Sequence, residues 1–322
     1  MKRLIADLSD PAVPRLAVAE APDPVPGRGE LLVRVMASGL NRADLALTPD
    51  HYLPGTTVGS ELTGEVVEVG QGVAGFAVGD RVMALSRGSH AEQACVDHRL
   101  AVRVPDSLDW QTAAALPAWY MTAHDALMTQ GAFQPGEAVL VQGVTSGVGQ
   151  AAARLARLNG ARIVIGVARS KDKLSRLTRD EVDLTLTMDD DWTAAARDAT
   201  AGDGVDLVVD MVGGGALRGN LESLAIRGRI VAVGRLGGAS DSLDIGMLAF
   251  KRARLIGTTF RSRSMDEKAA IARAFGASVL PLVEQGRLQP RIDRVFPLLR
   301  AHEAQELMRL NQHFGKVLLA IQ

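Results

Sequence analysis

The stretch VLVQGVTSGVGQAAARLARLNGARIVIGVARS, residues 139–170, decides the fold of this chain. An apolar run leads into a glycine-rich turn, an alanine-rich segment follows, and a second apolar run ends the stretch. Ala151, Ala152, Leu155 and Leu158 recur at helical spacing, which places one apolar side against a sheet. The pattern is therefore typical of a strand, a helix and a second strand that together hold a dinucleotide.

The glycine-rich turn brings Gly147, Val148 and Gly149 to the start of the predicted helix. Unpaired N–H groups and the helix dipole attract a pyrophosphate there, and glycines let it come close. The pattern departs from G-x-G-x-x-G because Val144 and Ser146 occupy the first two glycine positions. A turn that binds nothing is the alternative, but the flanking apolar runs favour the dinucleotide.

The second apolar run ends in GVARSKDK, residues 166–173, with no acidic residue at its tip. An NAD site usually offers Asp or Glu to the ribose hydroxyls, whereas a 2′-phosphate requires cations and hydroxyls. Arg169, Ser170 and Lys173 are suited to surround such a phosphate, so the sequence favours NADPH over NADH. The alternative is that Ser170 caps the next helix and both cations are solvated.

Apolar strands and helical segments alternate through the middle of the chain. The predicted strands are 138–142, 162–166, 206–210, 229–233 and 255–257. Alternation of this kind implies a parallel, doubly wound sheet.

The two ends of the chain have a different pattern. Residues 30–105 are rich in valine and glycine and form strand-like runs between glycine turns, which indicates an antiparallel, barrel-like region. The tail combines helices with further strand-like runs. We therefore predict an α/β protein in which a nucleotide-binding domain, 119–258, is inserted into a β-rich domain made of 1–118 and 259–322.

Composition limits the classes of protein to which the chain can belong. Its 322 residues are 47% hydrophobic with a formal net charge of −1, which is typical of globular domains and provides no attraction to nucleic acid or anionic membranes. Asp7 and Asp10 interrupt the apolar stretch after Lys2 and Arg3, and no run of 18 apolar residues exists. We expect a soluble, cytoplasmic protein that binds a small molecule.

Seven motifs, in order, carry a resemblance to a known family. They are ASGLNRADL, GSELTGEVVEVG, FAVGDRVMAL, AAALPAWYMTAHDAL, GEAVLVQGVTSGVGQAAARLA, GRIVAVG and GKVLLAI. The chain resembles zinc-free quinone oxidoreductases of the medium-chain dehydrogenase/reductase superfamily, the group of zeta-crystallin and the p53-inducible quinone oxidoreductase. FRSRS and GRLQPRIDRVFPL resemble the p53-inducible branch in particular. The resemblance implies a GroES-like catalytic domain, a Rossmann domain, a cleft between them, NADPH, and a homodimer paired through the Rossmann sheets.

Zinc-dependent relatives carry ligands that this chain lacks. A cysteine would lie near Asn41, a histidine would replace Ser60, and a four-cysteine lobe would follow, whereas Cys95 is the single cysteine here. Zinc needs three or four ligands at fixed separations, and the six histidines show no such spacing. We expect neither a catalytic nor a structural zinc.

Without a metal, the pKa of an alcohol is not lowered, so alcohol oxidation loses its usual driver. A quinone can still accept hydride from C4 of NADPH if the two are held in contact and the developing oxyanion receives hydrogen bonds. Reduction of the C=C bond of α,β-unsaturated ketones or aldehydes is the first alternative. A non-catalytic NADPH-binding protein, structural or RNA-binding, is the second, although the near-zero charge argues against nucleic acid.

The resemblance also implies which residues form the site. Asn41 and Tyr52 are the expected catalytic residues, which position the nicotinamide and the acceptor. The alternative for Asn41 is that it only closes a turn, and the alternative for Tyr52 is that it is a tyrosine of the core. The residues implied at the cofactor are Asn41, Thr122, Thr145, Ser146, Gly147, Val148, Gly234, Arg235, Leu236, Phe260, Arg261 and Lys316.

Two further positions qualify this assignment. Met188 stands where many relatives carry a tyrosine against the adenine-side phosphate, and His90 stands where they often carry an aromatic residue. We expect His90 to line the cleft rather than to act as a base. No Ser/Lys or Tyr/Lys spacing typical of a proton relay is present, so a quinone is expected to take its proton from water.

Overall fold

The chain forms two compact units in a computed structural model. The first comprises Met1–Ala118 and Met265–Gln322, and the second is Trp119–Ser264. The residues that the structure describes are 1–8, 15–45, 53 and 55–321.

The second unit ends at Ser264, beyond the expected boundary at 258. The reason lies in Asp125, a buried residue of the same unit. Its carboxylate accepts a hydrogen bond of 3.1 Å from the Thr258 hydroxyl and forms an ion pair of 2.5 Å with Arg263. These contacts hold the connecting segment on the second unit, so the chain returns to the first at Met265 rather than at 259.

Short strands joined by turns build the N-terminal part of the first unit. They are β1 (Lys2–Asp7), β2 (Arg15–Glu20), β3 (Glu30–Gly39), β4 (Glu61–Val69), β5 (Arg81–Leu85), β6 (Gln93–Asp97) and β7 (Ala101–Arg103). All of their pairings with one another are antiparallel. Leu31, Val33 and Val35 alternate along β3 and form one core with Leu62 and Val66 of β4. A short helix, α1 (Trp110–Ala114), closes this part.

The second unit alternates strands with helices. Its strands are β8 (Ala138–Gln142), β9 (Ile163–Ala168), β10 (Leu184–Thr187), β11 (Val205–Asp210), β12 (Leu224–Ala232) and β13 (Arg254–Gly257). Its α-helices are α2 (Pro117–His124), of which the first two residues belong to the first unit, α3 (Gly147–Leu158), α4 (Lys171–Leu174), α5 (Trp192–Asp198), α6 (Leu217–Ser223) and α7 (Ile245–Lys251). A π-helix, Asp125–Gln130, follows α2.

The six strands form one parallel sheet in the order β10-β9-β8-β11-β12-β13. Numbered within the unit, this is 3-2-1-4-5-6, the doubly wound order of dinucleotide-binding domains. The prediction of a parallel α/β sheet is confirmed. It missed β10, a four-residue edge strand of sequence LTLT that lacks the long apolar run of the inner strands.

The C-terminal part returns to the first unit through α8 (Met265–Ser278), α9 (Leu280–Glu284), β14 (Ile292–Pro297), α10 (Ala301–Arg309) and β15 (Lys316–Ala320). β15 pairs with β14 in parallel and with β3 in antiparallel orientation. Both ends of the chain therefore contribute to one β-rich unit. Among the described residues, no helix combines the length and apolarity that crossing a membrane requires.

Candidate functional site

The glycine-rich turn lies between β8 and α3, at the carboxyl end of a central strand. Gly143 adopts a φ of +70°, a region that favours glycine, and redirects the chain. Ser146 caps α3, and its Oγ accepts a hydrogen bond of 3.2 Å from the Gly149 N–H. Thr145, Ser146, Gly147 and Val148 are half-exposed. The predicted phosphate-binding residues therefore form one accessible group. The first N–H groups of α3 have no acceptor within the helix, which leaves them able to bind an anion.

Packing explains both glycines at the start of α3. A Cβ at Gly147 would lie 1.9 Å from the indole ring of Trp119, and one at Gly149 would lie 2.4 Å from the Gly143 carbonyl oxygen. The helix start therefore sits directly on its neighbours and leaves room only for backbone. Glycine at these positions serves the packing of the turn in addition to any approach of a phosphate.

The end of β9 carries the residues expected at a 2′-phosphate. Arg169 is exposed and has no hydrogen-bond or ion-pair partner among the described residues. Ser170 caps α4, because its Oγ accepts a hydrogen bond of 3.2 Å from the Lys173 N–H. The capping alternative is thus realised, yet the hydroxyl acts there as an acceptor and its own hydrogen stays available. Met188 lies beside this strand end and donates its N–H to the Ala168 carbonyl at 3.2 Å.

The carboxyl ends of β11, β12 and β13 border a pocket of about 450 Å³. Gly234 and Arg235 line it together with Asp210, Thr258 and Thr259. Burial raises the pKa of Asp210. The hydrogen bonds that its carboxylate accepts from the Gly213 and Val212 N–H groups act in the opposite direction. In open α/β sheets, ligands bind at the carboxyl ends of the strands, where this pocket lies.

The remaining predicted cofactor residues of the second unit have different degrees of exposure. Leu236 and Arg261 are exposed, whereas Thr122 on α2 and Phe260 are half-buried. The Arg263 guanidinium lies 5.8 Å from the Phe260 ring centre, and its ion pair with Asp125 anchors the loop that carries Phe260.

A buried polar cluster occupies the first unit where β3, β4 and β15 meet. Lys316 and Glu61, both fully buried, form an ion pair, and Lys316 Nζ also donates to Asn41 Oδ1 at 2.8 Å. Burial lowers the pKa of Lys316, although the charge of Glu61 opposes this. The second carboxylate oxygen of Glu61 accepts the Ala118 N–H at 2.7 Å. Lys316 is thus buried behind Asn41, which corrects the expectation that it contacts the cofactor directly.

Asn41 is fixed by this ion pair. Its Nδ2 donates to Glu61 Oε1 at 2.7 Å and to Ser60 Oγ at 3.1 Å, so both of its hydrogens are used within the cluster. The alternative in which Asn41 only closes a local turn is wrong, because its side chain bonds to residues of distant strands. Asn41 and Ser60 are half-exposed above the buried pair.

Asp44 lies beneath Ser60 and is buried. Its Oδ2 accepts the Asn41 N–H at 2.8 Å and the Ser60 hydroxyl at 3.3 Å, whereas Oδ1 has no partner among the described residues. Burial, reinforced by the charge of Glu61, raises the pKa of Asp44 from 3.8 to about 7.

His90 completes the cluster and is fully buried, which corrects the expectation of a cleft-lining side chain. Ser38 Oγ donates to the Glu61 carbonyl at 2.7 Å and lies 2.7 Å from His90 Nδ1. Since that hydroxyl has one hydrogen, His90 Nδ1 must be the donor and Nε2 is a bare acceptor. Nε2 lies 4.0 Å from Asp44 Oδ2 and has no partner among the described residues. Burial and the charge of Lys316 lower the pKa of His90 to about 3.

Sequence reasoning missed the roles of Asp44 and Glu61, although both lie within motifs quoted for the resemblance. Tyr52, the other expected catalytic residue, lies outside the described residues. Within the described part of the chain, no three side chains of His, Cys, Asp or Glu come together as metal ligands.

Comparison with known proteins agrees with the fold. A model of the alcohol dehydrogenase GroES-like domain matches residues 27–106, and one described as zinc-binding dehydrogenase matches residues 147–276. Quinone oxidoreductase-like protein 2 of Bos taurus is 32% identical over 91% of this chain and 85% of its own length. The mycobacterial protein Rv1454c, solved in complex with NADPH, gives a TM-score of 0.89 at 27% identity and covers 100% of both chains.

Much longer proteins also match. Polyketide synthase GfsB of Streptomyces halstedii is 33% identical over 91% of this chain. The chain spans only 5% of the length of that synthase. Similarity to part of so large a protein does not transfer the activity of the whole.

Proposed function

This chain belongs to the medium-chain dehydrogenase/reductase superfamily, among relatives named quinone oxidoreductases, and on that premise we propose that it reduces quinones with NADPH without a metal. The observation that carries the proposal is the cluster around Asn41 and Ser60. These are the positions where zinc-dependent relatives carry ligands, and here an amide and a hydroxyl stand, each hydrogen-bonded within the cluster. The amide hydrogens are used within the cluster, so the Ser60 hydroxyl is the group of this pair that can donate a hydrogen bond to an oxygen of an electron-poor acceptor.

The donor set of the second unit fits NADPH, which supplies hydride from C4 when it is bound. The accessible start of α3 suits the pyrophosphate. Gly147 and Val148 are the first residues of this helix, and their backbone N–H groups can donate hydrogen bonds to phosphate oxygens. Arg169, which is exposed and unpaired among the described residues, suits a 2′-phosphate, and the Ser170 hydroxyl still has a hydrogen to donate. The NADPH complex of a structural neighbour supports this choice of cofactor.

Reduction of an activated C=C bond is the second candidate. The similarity to a stretch of a polyketide synthase favours it. A quinone and an enone both leave negative charge on an oxygen after hydride addition, so the same hydrogen-bonding group serves either acceptor. The size of the acceptor and the fate of the proton distinguish the two reactions.

We further propose a homodimer that pairs through β13. This strand is an edge of the parallel sheet, and Leu255 on it is 42% exposed. Phe250 and Ile245 on the preceding helix are 76% and 64% exposed. An uncovered apolar edge strand favours pairing with a second copy. Leu255→Lys is expected to yield monomers in sedimentation velocity. Leu299→Lys, at another exposed leucine, should remain a dimer like the wild type. A wild-type protein that sediments as a monomer would contradict the proposal.

The test of function is NADPH oxidation against a panel that holds ortho-quinones, para-quinones and 2-alkenals. Quinones are expected to be reduced with the highest kcat/KM, and the activity is expected to survive prolonged chelator treatment. Faster reduction of 2-alkenals than of every quinone would favour the second candidate, and loss of activity with release of stoichiometric zinc would refute metal-free chemistry.

Cofactor choice is tested separately by the double change Arg169→Ala and Lys173→Ala. NADPH is expected to lose about tenfold or more in affinity, the effect of one charge-assisted hydrogen bond of about 1.5 kcal/mol, while NADH is little affected. Arg179→Ala, at another exposed arginine of the same unit, is the matched control. Equal dissociation constants for the two cofactors in the wild-type protein would contradict the assignment.

A further inference from the structure

The hydroxyl of Ser60 has a constrained direction. It accepts a hydrogen bond of 3.1 Å from Asn41 Nδ2, and both hydrogens of that amide are used, since the other goes to Glu61. Lys316 holds the carbonyl end of the amide, so Asn41 cannot turn to receive a hydrogen from Ser60. The hydrogen of Ser60 therefore points either to Asp44 Oδ2, 3.3 Å away, or out of the cluster.

The protonation state of Asp44 decides between these two directions. An ionised Asp44 accepts the hydrogen of Ser60. A protonated Asp44 can donate to Ser60 Oγ instead, and Ser60, which then accepts from both Asn41 and Asp44, must direct its own hydrogen outward. Ser60 is half-exposed while Asp44 is buried, so Ser60 is the member of this pair that a molecule bound outside the cluster can reach.

The proton belongs to Asp44 rather than to its neighbours. Among the described residues, the charged or titratable side chains that face Asp44 are Glu61 on β4, Lys316 on β15 and His90 in the loop before β6. Glu61 is bound to Lys316, Asn41 and the Ala118 N–H, so its oxygens are occupied. His90 is held neutral because burial and Lys316 lower its pKa to about 3. Asp44 is left as the group whose pKa, about 7, lies in the working range.

We propose that Ser60 is the catalytic proton donor of this enzyme and that Asp44 supplies its proton from beneath. This inference rests on the proposed function, in which hydride addition leaves negative charge on an oxygen of the acceptor. The Ser60 O–H bond breaks toward that oxygen while the Asp44 O–H bond breaks toward Ser60 Oγ. The product leaves protonated, the hydroxyl is restored, and the Asp44 carboxylate takes a proton from solvent through Ser60. This replaces the expectation that the proton comes directly from water.

The kinetic test compares kcat for a quinone between pH 5 and pH 9 in the wild type, Ser60→Ala, Ser60→Thr and Asp44→Asn. In the wild type, kcat is expected to fall as pH rises through about 7, where Asp44 loses its proton. Ser60→Ala and Asp44→Asn should lower kcat at pH 6 by about a hundredfold and abolish the inflection, as loss of a general acid does. Ser60→Thr retains the hydroxyl and should keep both the kcat at pH 6 and the inflection of the pH profile. Ser86→Ala, at a hydroxyl bonded to the backbone elsewhere in the first unit, is the control.

A second measurement does not depend on turnover. Infrared titration of the protein without cofactor should reveal a protonated carboxyl band at pH 6 that disappears above pH 8. Asp44→Asn should lack that band, whereas Ser60→Ala should retain it. The affinity for NADPH should be unchanged in every variant, which separates proton delivery from a structural role.

The outcomes distinguish the relay from the function on which it rests. If the wild type reduces quinones and Ser60→Ala matches it in kcat and in pH profile, the relay is refuted and the proposed function stands. Absence of the carboxyl band at pH 6 refutes Asp44 as the source of the proton. If the wild type reduces no acceptor of the panel, the proposed function fails and the relay fails with it, even where the band titrates near pH 7.

Discussion

Asp44→Asn should stabilise the protein, and the gain should grow with pH. Asp44 is buried, one of its oxygens has no donor among the described residues, and the Glu61 carboxylate is nearby. Asparagine keeps an oxygen that can accept from the Asn41 N–H and from Ser60, but it never ionises. The change therefore removes the free-energy cost of a buried charge while it preserves the shape of the site.

The magnitude follows from the two pKa values of Asp44. Burial raises the pKa in the folded protein to about 7, whereas the unfolded chain keeps the ordinary value of 3.8. Below about pH 4 both states hold the proton and the carboxyl costs nothing. As pH rises to about 7, the unfolded state releases the proton first, so the wild type loses stability that Asp44→Asn retains. At about 1.4 kcal/mol for each pH unit, the difference approaches 4 kcal/mol above pH 7.

Urea unfolding of both proteins at pH 4.5, 6 and 8 measures this difference. His90 titrates in the opposite sense, because its folded pKa is lowered, but it is present in both proteins and largely cancels. Asp198→Asn, at an exposed carboxyl in the last position of α5, is the matched control and should leave the curve unchanged. A difference between Asp44→Asn and wild type that stays constant from pH 4.5 to pH 8 would refute the reasoning.

Three further outcomes are expected. Gly147→Ala should cost about 1–3 kcal/mol or more of stability in urea unfolding, because its Cβ would lie 1.9 Å from the Trp119 ring; Gly246→Ala in α7, where the nearest atom is 3.4 Å away, should cost little. Cys95 should react slowly with iodoacetamide at pH 8 until the protein unfolds, since burial raises the pKa of its thiol to about 11, and rapid labelling of the native protein would contradict this. Tyr52→Phe should keep quinone turnover within about tenfold, and a fall of about a hundredfold in kcat would identify a catalytic acid at this position.

The parallel sheet could be predicted from the sequence because its signals are local. Apolar runs such as 138–142 and 206–210 lie close to the observed bounds of β8 and β11, and the glycine turn identifies the start of α3. β10 was missed because a short edge strand carries few buried residues. The boundary at 264 was missed for a different reason, since it depends on the ion pair between Asp125 and Arg263, whose partners are remote in sequence.

The polar cluster could not be assembled from spacing. Asn41, Glu61 and Lys316 are separated by 20 and 255 residues, and only the pairing of β15 with β3 brings the last of them to the others. The resemblance did single out Asn41 and Lys316, but a direct contact of Lys316 with the cofactor could be corrected only from its burial. The burial of His90 also could not be predicted from the sequence. A histidine at a position where relatives carry an aromatic residue gives no indication of which ring nitrogen is left without a hydrogen-bond partner.

A buried ion pair is a poor means of stabilising a protein, because the cost of removing both charges from water is close to what their attraction returns. The pair of Lys316 and Glu61 therefore needs another explanation, and Asn41 provides it. The ammonium fixes the carbonyl end of that amide and the carboxylate fixes one of its hydrogens, so the remaining hydrogen must point at Ser60. The Ser60 oxygen therefore accepts from Asn41, and its own hydrogen is left for Asp44 or for a group outside the cluster. The buried charges thus constrain one half-exposed hydroxyl, and in the proposed relay the protonation of Asp44 decides whether that hydroxyl donates inward or to a bound acceptor.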